Sequence, residues 1–160
     1  MLTSKLRIIS GGQTGIDRIA LDVAMELGLQ HGGWCPKGRV AEDGTIPEKY
    51  LLCETDSRKY AVRTEKNIAE SNGTLILYRG KMTGGTALTL RLAAKHSKPC
   101  LELDFGKIAV DQFESAVREA RDWLASSSIE VLNVAGPRES SSPELSAYVY
   151  PFLVSLFGAG

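Results

Sequence analysis

The sequence predicts an α/β domain built on a doubly wound, mostly parallel sheet with helices on both faces. Three observations lead there. Short apolar runs of strand length alternate with segments whose apolar residues recur at helical spacing, the pattern of βαβ units. Two glycine-rich turns each stand between such a run and such a helix. The composition, 43% hydrophobic and 24% charged, is that of a chain able to bury a core, which excludes extended disorder. At roughly 100–200 residues per domain, the 160 residues predict a single domain over 1–160.

Leu6–Ser10 is a continuous strand-like run and the first strand. Ile16, Ile19, Ala20, Val23, Ala24 and Leu27 follow at helical spacing, with Gly28 placed to stop the helix. Residues 29–64 are less regular. Within them Trp34–Pro47 carries Gly, Pro and charge without periodicity, and reads as a long loop of the functional or mobile kind. A helix over 64–72 leads to the second clear strand, Thr74–Tyr78. A Gly-Gly turn and an apolar helix, Thr86–Lys95, come next, and then a strand over Pro99–Leu103. Phe113, Val117, Ala120 and Leu124 mark one face of a further helix, and Val131–Ala135 is the fourth strand. Ser142 suits an N-cap and Pro143 the first helical position. Leu145, Val149, Phe152 and Leu156 complete the last helix, with a kink expected at Pro151. That helix holds more apolar surface than one face needs, so either part of it packs on a second copy of the chain or the helix is buried all round.

Charge and cysteine usage exclude several classes. Nineteen Lys and Arg balance nineteen Asp and Glu, so the basic excess of a general nucleic-acid binder is missing. The charge is sorted along the chain, however. Residues 1–101 hold 15 basic and 10 acidic side chains, and residues 102–160 hold 4 and 9. A site in the first part would therefore favour an anionic ligand. Cys35, Cys53 and Cys100 lie far apart, which fits neither a disulfide framework nor a paired-cysteine zinc site. His31 and His96 cannot supply a histidine-rich metal cage. No signal-peptide core stands at the N-terminus, and no apolar run approaches the roughly 20 residues that span a bilayer. A reduced, soluble, cytoplasmic protein is expected.

In an open parallel sheet the ligand sits outside the carboxyl ends of the strands, near the topological switch point. The first candidate there is Gly11-Gly12-Gln13-Thr14-Gly15, between the first strand and the first helix. Its glycines let the backbone pass close to a ligand, and the helix start offers free N–H groups and a positive dipole end. It matches neither the dinucleotide fingerprint nor the P-loop, and a tight turn without ligand is the plainer reading. The second candidate, Gly80-Lys81-Met82-Thr83-Gly84-Gly85-Thr86, repeats the arrangement after the second strand. The two turns converge on one place if their strands are neighbours. Arg79, Lys81 and Arg138, each after a strand's carboxyl end, are the cations best placed to pair with a phosphate, and Lys37 in the long loop is a further candidate. Arg39 and Arg63 are further candidates, against the plainer role of solvated surface charge. Trp34 suits either stacking on a flat heterocycle or core packing. Cys35 is either a reactive thiol or a small buried hydrophobe. No catalytic constellation emerges; Asp17, Glu65 and Glu139 are acid–base candidates by position alone.

Six segments occur in order: Ser10–Asp17 (SGGQTGID), Gly33–Thr45 (GWCPKGRVAEDGT), Arg63–Asn67 (RTEKN), Thr74–Leu77 (TLIL), Gly84–Thr89 (GGTALT) and Asn133–Glu139 (NVAGPRE). Together they closely resemble the molybdenum cofactor carrier protein family, over nearly the whole chain. The resemblance implies a Rossmann-like fold, related to the lysine-decarboxylase-like phosphoribohydrolases and to DNA-processing protein A. It implies a non-catalytic homo-oligomer that binds and protects molybdenum cofactor, a pterin with a dithiolene and a terminal phosphate, until an apo-molybdoenzyme accepts it. The anionic ligand, molybdopterin or alternatively a nucleotide, would lie on the glycine turns. The phosphoribohydrolase signature PGGxGTxxE is only partly met. Thr83 stands for its Pro, the second Gly-Thr pair is missing, and Arg91 stands near the place of its Glu. That departure argues against hydrolysis and leaves ligand binding untouched.

Overall fold

The strand-like run that starts at Leu6 forms β1 (Arg7–Ile9), and the computed structural model describes residues 5–158. The chain continues through α1 (Ile16–Glu26), β2 (Gln30–Gly32), β3 (Trp34–Cys35), β4 (Val40–Ala41), β5 (Gly44–Thr45) and β6 (Cys53–Glu54). Then come α2 (Tyr60–Glu70), β7 (Gly73–Tyr78), α3 (Gly84–Lys95), β8 (Cys100–Asp104), α4 (Phe113–Ser126), β9 (Val131–Ala135) and α5 (Ser146–Phe157). Five strands make one parallel sheet in the order β2-β1-β9-β7-β8. The α/β class and the parallel sheet are as the sequence predicts.

The strand order locates the ligand crevice. From β1 the chain crosses through α1 to β2 at one edge, and from β7 it crosses through α3 to β8 at the other. β9 lies between β1 and β7, so the two glycine turns are not direct neighbours: they flank the carboxyl end of β9. That is the switch point of the sheet, where such folds hold ligands.

The central strands are buried on both faces. Leu75, Ile76, Leu77, Leu132 and Val134 are buried in β7 and β9, as a parallel sheet covered twice requires. α5 closes the core against α1 and α4. Its Val149, Phe152, Leu153, Leu156 and Phe157 are all buried within this one chain. Phe152 meets Phe105 and Phe113 edge-on, with centroids 5.3 and 6.0 Å away. The large aliphatic and phenyl side chains of this helix are thus consumed internally; its exposed large side chains are Tyr148, which stacks with Arg79, and Tyr150, which donates to Glu26. α5 runs on through Pro151, which leaves one carbonyl of the preceding turn without its helical donor.

The stretch read as a long loop is an ordered small lobe. β3 pairs with β6, and β4 and β5 form an antiparallel hairpin. Cys35, Ala41, Ile46, Tyr50 and Leu52 make a second apolar cluster with Leu21 of α1. Arg39, in a left-handed backbone conformation, holds the lobe together by donating to the carbonyls of Ile46, Pro47, Tyr50 and Leu52. Strands of two residues carry no periodicity, which is why the sequence pattern showed none.

Candidate functional site

A cleft of about 570 Å³ opens at the carboxyl ends of β1, β9 and β7. Of the residues singled out in the sequence, Gly11, Gln13, Arg79, Lys81, Thr83, Gly84, Gly85, Thr86 and Arg138 line it. Gly12, Thr14 and Gly15 stand behind the wall and shape the turn. Lys37 lies in the small lobe, exposed and outside the lining. Arg39 is spent on backbone carbonyls. Trp34 is also outside: Lys66 sits 3.9 Å over its ring and Glu70 accepts its indole N–H. Cys35 is fully buried, and burial pushes its thiol above its ordinary value, so the buried-hydrophobe role is the one the structure gives it.

The first glycine turn is filled by the protein itself. Gln13 N–H donates to Asp17 Oδ2 at 3.1 Å, and the Ile16 N–H at the helix start reaches Pro137 O at 3.5 Å. Asp17 is buried, which raises its carboxyl above the ordinary value; Arg63 beside it and the N–H groups of Gln13 and Gly11 oppose that rise. Gln13 is only 6% exposed. Its Oε1 accepts from the Thr14 and Glu42 N–H groups at 3.1 and 2.9 Å, which fixes the amide's orientation. Its Nε2 is buried with no partner. Glu42 also accepts from Thr14 Oγ1, from Ser140 N–H and from Ser140 Oγ, so the β4–β5 hairpin is tied to the first glycine turn and to the segment leaving β9.

Arg63 is a residue the sequence misplaced. It was read as preceding a helix over 64–72, but α2 begins at Tyr60 with no side-chain cap, so Arg63 lies inside the first turn and faces the cleft. Its guanidinium lies 5.2 Å from the Tyr60 ring, and Arg138 lies 5.5 Å from the same ring. Arg63 Nη1 donates to Thr64 Oγ1 at 2.6 Å, while its Nε is buried without a partner. A buried donor without a partner costs about 1–3 kcal/mol, so two of them on one wall point to a group supplied from outside. No sequence signal marks these two atoms, because burial decides them.

The second glycine turn is open. Thr83 stands at the N-cap of α3 without a capping bond, and a Cβ at Gly84 or Gly85 would meet nothing. The first N–H groups of the helix therefore face the cleft unpaired. Arg79 stacks 5.2 Å from the Tyr148 ring. Arg63, Arg79, Lys81 and Arg138 form no ion pair among the described residues, whereas Arg18, Lys49 and Lys95 each do. Of the three acid–base candidates only Asp17 lines the cleft. Glu65 is tied to Lys95 and His96, and Glu139 to Ser146. Among the described residues no group of His, Cys, Asp and Glu is placed to hold a metal ion, and no helix is long and apolar enough to cross a membrane.

No curated protein matches the chain. Among solved structures it is similar to that of a protein from Syntrophus aciditrophicus SB described as "Putative molybdenum carrier protein". The two share 44% identity at a TM-score of 0.91, covering 98% of this chain and 97% of the other. The family model described as circularly permutated YpsA SLOG matches residues 8–157. With nearly its whole length inside that match, this chain belongs to the circularly permutated YpsA SLOG family.

Proposed function

We propose that the chain binds and stores molybdenum cofactor in this cleft and releases it to apo-molybdoenzymes, without chemistry on it. The observation that carries the reading is the wall of four cations without ion pairs, set around an open helix N-terminus with free N–H groups. A terminal phosphate suits that end, since Arg and helix-start N–H groups are its usual partners. The molybdenum arrives chelated by the ligand's dithiolene, so the reading asks for no metal-ligand set from the protein. The name carried by the similar structure supports the same ligand class. A homo-oligomer belongs to the reading as well.

Anaerobic titration with molybdenum cofactor, followed by transfer to a cofactor-free nitrate reductase, tests it. Saturable stoichiometric binding and restored reductase activity are expected. No binding by folded protein overturns the reading. A second check uses Gly11→Ala. The added Cβ would fall 2.5 Å from Arg63 Nε and 2.8 Å from its Cζ, atoms of a side chain that can swing away. The fold should survive and cofactor affinity should drop about tenfold, the loss of one hydrogen bond to a charged group; an unchanged Kd would remove Arg63 from the site.

One observation favours a second reading, a nucleotide-binding or phosphoribohydrolase-like enzyme acting on nucleoside monophosphates. Asp17 is a buried carboxylate on the cleft wall, where a general acid or base would stand. Release of free base from nucleoside monophosphates above a protein-free control would establish that reading.

A further inference from the structure

The two ends of the cleft differ in charge. Around the start of α3, Arg79 and Lys81 stand with unpaired helix N–H groups and no carboxylate in the lining. At the first glycine turn the lining instead combines a cation, Arg63, with a carboxylate, Asp17, and adds the neutral amide of Gln13. An anion would meet the buried Asp17 charge there at low local dielectric, where like charges repel most strongly. The side-chain amide orientation of Gln13 is fixed by two backbone donors, so Nε2 can only donate. Arg63 Nε can only donate as well. Both are buried and unpartnered. Beside them Asp17 offers carboxylate lone pairs that accept. The complement of two donors next to a carboxylate is a neutral, planar edge with a carbonyl acceptor beside N–H donors.

We infer that Gln13, Arg63 and Asp17 form a separate subsite for a 2-amino-4-oxopyrimidine edge, the edge shared by a pterin and a guanine. The carboxylate of Asp17 accepts from the ring N–H and the exocyclic amino group. Gln13 Nε2 and Arg63 Nε donate to the 4-oxo group. The phosphate then lies at the α3 end. This rests on the carrier reading for the direction of the ligand, and it makes Asp17 a specificity-determining residue rather than an acid–base catalyst.

The test compares ligands that differ only at the 2-position. Equilibrium titration uses the phosphate ester of 6-hydroxymethylpterin against its 2-oxo lumazine counterpart, and guanosine 5′-monophosphate against inosine 5′-monophosphate, which lacks the amino group. The expected result is at least about a tenfold preference for the 2-amino member, as loss of hydrogen bonds to a charged group implies. Whichever pair binds tighter names the source, pterin or guanine. Asp17→Asn keeps an oxygen for the Gln13 N–H but places a donor where the carboxylate accepted. It should shift the preference toward the 2-oxo ligand, whereas loss of a merely structural Asp17 would weaken both members equally. Equal affinities within both pairs in the wild-type chain overturn the inference whether or not the variant folds, and so does cofactor binding without detectable binding of any of the four probes. A 2-amino preference in a protein that does not bind molybdenum cofactor sustains the subsite and overturns the carrier reading alone.

Discussion

Gly15→Ala is expected to lower the unfolding free energy by about 3 kcal/mol, the sum of a backbone and a packing cost. Gly15 has φ +81° and ψ −129° at the start of α1, a conformation that L side chains rarely adopt. Holding a residue there costs about 1–3 kcal/mol. The new Cβ would also stand 2.6 Å from Pro137 O and 2.8 Å from Glu139 N. Both are backbone atoms of the segment leaving β9, so neither can turn aside as a side chain would, and overpacking of this kind costs about 1–3 kcal/mol more. For a domain of this size the melting temperature should fall by about 6–12 °C. Gly85→Ala is the control: its Cβ meets nothing and its φ is not positive, so its stability should stay within about 0.5 kcal/mol of the parent. Urea unfolding at constant m value reads both. Equal midpoints for the two variants would mean that the β9–α5 segment does not press on the first glycine turn as described. The effect reaches the site as well, because the displaced segment carries Arg138.

That contact shows where sequence reading stops. Four of the five strands of the central sheet and the helices over them were legible because strand-like runs and helical spacing are local properties; Val131–Ala135 has the boundaries its sequence predicts. β2 was missed because Gln30, His31 and Gly32 form a polar edge strand with no alternation to detect. α2 was read four residues late because Lys59 at its N-cap gives no capping signal. The interposition of β9 between β1 and β7 is a matter of strand order, which no local pattern carries, yet it decides which residues face one another. The glycine motifs therefore marked both sides of the cleft while leaving their division of labour unread. That division depends on burial: Asp17 fills the first turn from within, and Gln13 and Arg63 are left with unpartnered donors only once the chain has closed over them. The apolar richness of α5 likewise fitted either a surface for a second copy or a helix buried all round, and α1 and α4 bury most of it within the chain.

The double variant Arg79→Ala/Lys81→Ala is expected to weaken cofactor binding by about 30- to 100-fold while leaving the fold intact. A hydrogen bond to a charged partner contributes about 1.5–3 kcal/mol when it is shielded from water, but both side chains are exposed, and screening cuts each contact to about 1–1.4 kcal/mol, so the pair sums to about 2–2.7 kcal/mol. Arg79 should account for the larger share. Its guanidinium is already held 5.2 Å from the Tyr148 ring, so less freedom is lost when it meets a phosphate. Ionic strength separates charge from shape. Parent affinity should fall as salt rises, since the unpaired cations act across a few ångströms of open cleft, and the variant should show a flatter dependence. Lys37→Ala, outside the lining, should leave both affinity and salt slope at parent values. Isothermal titration at two salt concentrations measures all three proteins. If Lys37→Ala weakened binding as much as the double variant, the relevant quantity would be the net charge of the basic half of the chain rather than a phosphate seated at the start of α3. If neither variant changed the affinity, the anionic end of the ligand would lie elsewhere, with Arg63 and Arg138 the remaining unpaired cations on the wall.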